Sequence, residues 1–459
     1  MQRARTGQHE PGTTACDDFR VTSLERLTTE DARILHLESA TIAGHTCKVA
    51  ILERVPGVTP TDAVRRRVAE RLSRVPRCRQ RVVPTPGRRA DPCWSDDEEF
   101  AVERHVRSVA TDRVVSRREL LELVGQIMAG RLDRDRPLWS IDVVDALDDG
   151  RWALVWRIHH CMADGMTAMR WASDLLWDDQ PAAVSTPPAA SSTAPAPSST
   201  GREPERRRRA LEVTRRDAAA IAREVRPTEG RSPFAGPTGT RREVAFARWS
   251  LDEMRAIGQL CPDPATINDV LLAVVAGGIR TWLTARDAPL HTIRIKVPVS
   301  MHTAPGADHL GNRDSFLFVD VPLVDPDPLA RLHAIHGETT ERKERRDAQA
   351  LYSVFDALGH VAPLGRAATR IAMSPHVFAV NVSNVPGPRR ARTMHGGRVE
   401  ELYSLAEIAP KHALRVSAVS LAAEMFVGLN VEPTVVADVG VLASGIEAAV
   451  AELLSCGPR

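Results

Sequence analysis

The chain reads as an α/β protein of two domains, and three observations carry that reading. Its 459 residues exceed what one hydrophobic core usually organises and suit two domains of roughly 200 residues each. Short apolar runs with strand alternation are interleaved with stretches whose apolar residues recur at helical spacing. Between the halves, residues 180–200 (QPAAVSTPPAASSTAPAPSST) are Pro, Ala and Ser with almost nothing to bury, the composition of a flexible or extended linker.

Composition narrows the function classes. A hydrophobic share of 43% with 26% charged residues is that of a soluble globular protein, and a net charge of +2 points to no polyanionic partner. Nucleic acid is not expected as a partner. Seven cysteines, scattered without CxxC pairs, suit neither a disulfide framework nor a zinc module, so reduced thiols in a cytoplasm are expected.

Taken in order, residues 1–20 lack the apolar run of a signal peptide and read as a loose tail. Residues 21–179 form the first domain. Short apolar runs over 21–55 precede a helix over 61–74, which the break at Pro76 ends. A second helix spans 117–130. Pro137 then forces an extended entry through Leu138 and Trp139 into a strand at 141–144, which should pair beside residues 151–158 (RWALVWRI). That run is rich in Trp, Val, Leu and Ile, and Asp148-Asp149-Gly150 bounds it. After Gly165, Met166, Met169, Ala172, Leu175 and Leu176 recur as one buried helix face.

Residues 180–231 hold the linker and an arginine-rich helix over 206–225. That helix is either a solvated crossing between domains or an electrostatic contact with anionic lipid headgroups. The second domain covers 232–459. It contains an apolar helix over 267–282, a strand at 293–300, a charged helix starting at Asp325, and a strand at 377–383 that runs into the turn Pro386-Gly387-Pro388. The longest apolar stretch, 270–279, falls about ten residues short of a bilayer span. Any membrane association is therefore expected to be peripheral.

The chemistry is expected where the strand at 151–158 gives way to a helix, at His159-His160-Cys161-Met162-Ala163-Asp164-Gly165. Strand alternation sends Leu154, Trp156, Ile158 and His160 to one face and Val155, Arg157 and His159 to the other, so at most one histidine addresses a given reacting atom. Three readings compete. The stretch is a satisfied core histidine with Asp164 capping a helix, a metal site, or a general base held on a rigid strand end. Adjacent His-His-Cys matches none of the usual zinc spacings, so no metal is expected.

HHCMADG resembles the HHxxxDG motif of the coenzyme A-dependent acyltransferase superfamily, and its surroundings resemble the wax ester synthase/diacylglycerol acyltransferase family. Five further blocks match the family. They are residues 132–139 (LDRDRPLW), the Trp-containing segment ending in His105-Val106, Asn268-Asp269 in 267–273 (INDVLLA), and Val297-Pro298-Val299-Ser300 with Gly311-Asn312 beyond and then 383–388 (SNVPGP).

The resemblance implies two chloramphenicol acetyltransferase-like domains with mixed sheets and the active site in a tunnel between them. It implies transfer of a long-chain acyl group from acyl-CoA, as co-substrate, to the hydroxyl of diacylglycerol or a long-chain alcohol, with no cofactor. His160 would be the general base, with an ordinary imidazole pKa near 6.5. His159 would orient the strand end, Asp164 would hold the turn and a partner arginine, and Gly165 completes the motif. Asn268 and Asp269 would lie near the histidine across the domain interface, where a helix N-terminus offers donors to an oxyanion. Pro137, Leu138, Trp139, Asn384, Pro386 and Gly387 are candidates for the substrate channel.

One block departs from the family. Where a Ser-Tyr-x-Gly strand segment is usual, this chain has 419–424 (VSLAAE), which puts one channel wall in doubt. The implied location is cytoplasmic, peripheral at the inner membrane face or at lipid droplets. Two alternatives stay open: a condensation-type transferase that takes its acyl group from a carrier-protein thioester, and a catalytically weak lipid-binding homologue.

Overall fold

The computed structural model describes residues 24–85, 92–110, 113–179, 226, 228, 230–300, 314–345 and 373–457. The tail, the Pro/Ala/Ser linker, the arginine-rich segment over 206–225 and Gly311-Asn312 lie outside the described residues.

Two six-stranded mixed sheets carry the architecture. In the first, His45–Leu52, Trp152–His159 and Trp139–Val144 run antiparallel, and Val106–Ser108 adds in parallel at one edge. The other side of His45–Leu52 is filled by Gly397–Ala406, with Thr393–Met394 beyond it. Those two strands come from the C-terminal half, so the division read near residue 232 is not a division between the sheets. The second sheet runs Asp314–Pro322, Thr292–Ser300, Val380–Val385, Leu414–Leu421, Glu424–Val431, Glu243–Ser250. A three-stranded sheet of Glu25–Arg26, Cys93–Asp96 and Gln80–Val83 flanks the first.

Strand alternation decides what each face of the second sheet meets. Ala245, Ala247 and Trp249 on one edge, with Val416, Ala418, Val427 and Val431, enter a core shared with the helices Leu251–Gly258, Ile267–Thr284, Pro328–Arg345 and Val439–Ser455. The opposite face presents Val244, Val419, Leu421 and Phe426, which join the core of the N-terminal half. The second sheet is thus covered by helices on one side and by the N-terminal half on the other. The helix Ile267–Thr284 has the length and apolarity to cross a membrane, longer than the 270–279 stretch suggested, but 72% of it is buried inside the protein. Its apolarity serves the core.

The strand at 151–158 was expected to show one apolar face. It extends over Trp152–His159 with every residue buried, because it is a central strand covered on both sides. Arg157 is kept there by Asp142 at 3.5 Å and by the carbonyls of Ile127 and Gly130, each at 2.8 Å.

The crossing strand Gly397–Ala406 is fixed by charge and by aromatic packing. Buried Glu401 accepts hydrogen bonds from Arg117 and Arg151, each at 2.8 Å. Tyr403 stacks on Phe246 with ring centroids 3.9 Å apart.

Candidate active site

The motif leaves the sheet through a turn that the backbone defines tightly. The His159 N–H donates to Leu138 O and the His160 N–H to Gly44 O, each at 2.9 Å, and the Met162 N–H closes onto His159 O at 2.9 Å. Asp164 is the N-cap of the helix Gly165–Leu175, its Oδ1 accepting from the Thr167 N–H at 2.7 Å. The capping role read from the sequence is therefore present. The partner arginine is not: among the described residues none pairs with Asp164. The cation whose charge couples to Asp164 is Lys48, a buried lysine on His45–Leu52 whose Nζ donates to Ser404 Oγ of the crossing strand at 2.6 Å.

The two histidines differ sharply. His159 is 1% exposed, and its Nδ1 accepts from the Cys161 N–H at 3.2 Å. That assigns the proton of the neutral ring to Nε2, which faces buried Glu38 Oε2 at 3.5 Å, long for a hydrogen bond. Gly44, at φ +69, lies against the ring; a Cβ there would stand 2.6 Å from Nε2. His159 is thus packed closely on the side of Gly44. His160 is only partly buried. Burial of its ring, and next the charge of Arg415, push its pKa down to about 4, while Asp164 pulls the other way. At neutral pH the ring is uncharged and can accept a proton, with a lower pKa than its residue type suggests.

The second sheet meets the motif here. A Cβ on Gly165 would lie 2.8 Å from Val385 Cγ2, so the helix N-terminus rests directly on the strand Val380–Val385. Beyond that strand, the Gly387 N–H donates to Ser420 Oγ at 3.0 Å, and a Cβ on Gly387 would be driven into Ser420 O at 1.8 Å. The Pro386-Gly387-Pro388 turn is thus a rigid lock on the neighbouring strand, and Pro386 is exposed. Ala422 and Ala423, where the Ser-Tyr-x-Gly segment was sought, form the two-residue turn between Leu414–Leu421 and Glu424–Val431.

Other sequence candidates go elsewhere. Leu138 and Trp139 are 0% and 2% exposed, and the Trp139 indole N–H donates to Cys78 O at 2.8 Å. With Pro137 they brace the motif strand inside the core. His105 is held between Phe100 and Trp139, with centroids 4.9 and 4.5 Å away. Asp269 closes a capping box with Thr266 and accepts from Thr339 Oγ1 at 2.8 Å, with His336 Nδ1 at 3.1 Å. All these partners belong to the C-terminal half. Asn384 falls on the face of Val380 and Val382, which pack into the helix-covered core. Asn381, on the other face, was not singled out, nor were Glu38, Lys48 or Arg415. A signal existed for two of them: Lys48 and Arg415 are each the one Lys or Arg in an apolar strand, a placement tolerated only with a reason.

A groove of about 800 Å³ opens at the far end of the motif strand, lined by Arg151, Arg248, Arg398, Glu400, Leu421 and Glu424. Its arginines already face Glu400, Glu401, Asp149 and Glu53, so it offers little net cationic character.

Comparison with known proteins agrees with this geometry. Residues 27–271 match the wax ester synthase/diacylglycerol acyltransferase catalytic domain, and residues 310–454 match the C-terminal domain of the same family. A Mycobacterium tuberculosis protein described as a probable diacylglycerol O-acyltransferase is 32% identical over 458 residues, covering 95% of this chain and 97% of the relative. The fold is similar to that of a wax ester synthase/diacylglycerol acyltransferase from Marinobacter aquaeolei VT8, with a TM-score of 0.68 at 23% identity over 94% of this chain and 98% of the other. It is also similar to a trichothecene 15-O-acetyltransferase from Fusarium sporotrichioides, with a TM-score of 0.60 at 12% identity over 96% and 99%. With its motif histidine presented at a strand end between two mixed sheets, and with that similarity running the length of both halves, the chain belongs to the wax ester synthase/diacylglycerol acyltransferase family.

Proposed function

We propose that this protein is an O-acyltransferase that moves a long-chain acyl group from acyl-CoA to the hydroxyl of diacylglycerol or a long-chain alcohol, yielding triacylglycerol or a wax ester, with His160 as general base. The observation that carries this is the contrast between the two histidines. His159 is enclosed by Gly44, Glu38 and the Cys161 N–H, whereas His160 is neutral, partly accessible and within reach of the charge of Arg415 on the second sheet.

An alcohol is a poor nucleophile at neutral pH. His160 takes its proton as the oxygen attacks the thioester carbonyl, and the carbonyl pair moves onto oxygen. Collapse of the tetrahedral intermediate breaks the C–S bond, and the imidazolium returns the proton to the departing thiolate. Acyl-CoA acts as co-substrate and no cofactor is required. The acceptors are lipids, so the reaction belongs at a peripheral site on the cytoplasmic membrane face or a lipid droplet.

The test is release of free CoA thiol from palmitoyl-CoA by wild type and His160→Ala, with hexadecanol, dipalmitoylglycerol or no acceptor. Acceptor-dependent release that falls about 10²- to 10⁴-fold in the variant is expected. Undiminished release by His160→Ala removes the base assignment, and release without acceptor removes the transferase.

A further inference from the structure

The face of the second sheet turned towards the motif is apolar at one end and polar at the other. Val385, Val419 and Leu421 pack against the N-terminal core. Along the same strands, Asn381, Ser383, Arg415 and Ser417 share that face by alternation. Ser383 Oγ donates to Ser417 Oγ at 3.2 Å, while Asn381 Oδ1 is buried with no hydrogen-bond partner among the described residues. Register sets Arg415 between Asn381 on one neighbouring strand and Asn430 on the other. Asn430 is fully buried; its Nδ2 donates to Ala406 O, and its Oδ1 has no partner among the described residues. Two buried amide oxygens left open among the described residues have no packing reason to flank a guanidinium on a face that meets an apolar core, since buried polar groups cost free energy unless something satisfies them.

We infer that this polar end of the face is the floor on which the thioester carbonyl lies, and that Arg415 is the group from the C-terminal half that takes the charge of the tetrahedral oxyanion. The proposal rests on the acyl-transfer reading above. When the acceptor oxygen bonds to the carbonyl carbon and gives its proton to His160, the carbonyl π pair becomes an oxyanion facing Arg415. When the pair returns, the C–S bond breaks and the thiolate leaves with the proton from His160. The base comes from the first sheet and the oxyanion partner from the second, so the site exists only where the halves meet. This role was looked for at Asn268 and Asp269, but Asp269 spends its oxygens on Thr266, His336 and Thr339. The guanidinium also explains part of the His160 environment. Among the described residues, the charged groups that reach that ring include Arg415 from the opposite sheet, and Asp164 and His159 from its own turn.

Arg415→Gln, Arg415→Lys and Asn381→Ala are compared with wild type and His160→Ala in the CoA-release assay between pH 4.5 and 8, with melting curves for each. Arg415→Gln is expected to lower kcat by about 10²- to 10³-fold with acceptor KM changed by less than about threefold, the cost of one missing oxyanion donor. Its acid limb should also move to higher pH, because removing a cation makes the His160 ring easier to protonate; loss of a merely structural contact would not shift that limb. Arg415→Lys should keep the acid limb in place with kcat about tenfold down, and it is read alone if the Gln variant fails to fold. Asn381→Ala should lower kcat less than Arg415→Gln. An Arg415→Gln enzyme with kcat within about threefold of wild type and an unmoved limb, or a folded Arg415→Lys enzyme of full activity, overturns the assignment while leaving the His160 chemistry intact. Loss of the wild-type reaction itself overturns both.

Discussion

Gly165 and Val385 touch across the two halves of the molecule: a Cβ on the glycine would lie 2.8 Å from Val385 Cγ2. The contact sits one residue past the N-cap Asp164, at the point where the motif helix starts. Replacing Gly165 with Ala favours the helix by up to about 1 kcal/mol. It also forces a methyl into an occupied space, at about 1–3 kcal/mol for overpacking. The second effect should win, because the obstacle is a short branched side chain on a strand with no free end to swing away. Gly165→Ala is expected to lower the melting temperature and to cut turnover at least tenfold by holding the sheets apart. Adding Val385→Ala to the same chain opens the space and should recover most of both. Turnover and melting of the two single variants and the double variant decide it: a fully active Gly165→Ala, or a double variant no better than the single, shows that the contact does not set the site.

His159 gives a prediction about kind rather than size. Its Nδ1 accepts the Cys161 N–H that shapes the turn. Asn places Oδ1 close to where Nδ1 sits, whereas Leu fills the volume without an acceptor. His159→Asn should therefore retain substantially more activity than His159→Leu, which leaves a buried N–H unpaired at about 1–3 kcal/mol. CoA release by the two variants, each checked for folding, separates the roles. Equal and complete loss in both would mean that an imidazole at this position takes part in the chemistry.

Much of this was legible beforehand, for identifiable reasons. The strand and helix around the motif announce themselves by alternation and by 3.6-residue spacing, and Asp164 as an N-cap follows from its place at the boundary. Strand alternation also separated the two histidines, because a local period needs no knowledge of the rest of the fold. What stayed hidden was non-local. Residues 397–406 were not among the elements read from the sequence, and nothing local says that they pair with His45–Leu52. Once they do, Ser404 comes to Lys48, and Glu401 to Arg117 and Arg151. Asp269 is ambiguous for the opposite reason: a capping box looks the same from sequence whether it borders a reactive centre or, as here, packs against the helix that carries His336 and Thr339.

Lys48 is the residue whose cost can be measured. Burial, more than any neighbour, lowers its pKa from the ordinary 10.5 to about 8, with Asp164 acting the other way. The sign follows from proton counting. Between pH 8 and 10.5 the unfolded chain holds a proton on this lysine that the folded chain has lost, so stability rises with pH across that window. Below pH 8 both states are charged and the full penalty remains, on the order of 1–3 kcal/mol after allowing for the hydrogen bond to Ser404. Lys48→Met keeps most of the apolar stem and removes the charge. It should melt higher than wild type at pH 7, and the difference should shrink as pH approaches 10. Ser404→Ala does the reverse, leaving a buried ammonium without its acceptor, and should melt lower at pH 7. Melting temperatures of the three proteins from pH 7 to 10 carry the test. A Lys48→Met protein less stable than wild type at pH 7, with a gap that does not change with pH, would mean that the ammonium is held by more favourable charge than Asp164 and Ser404 supply.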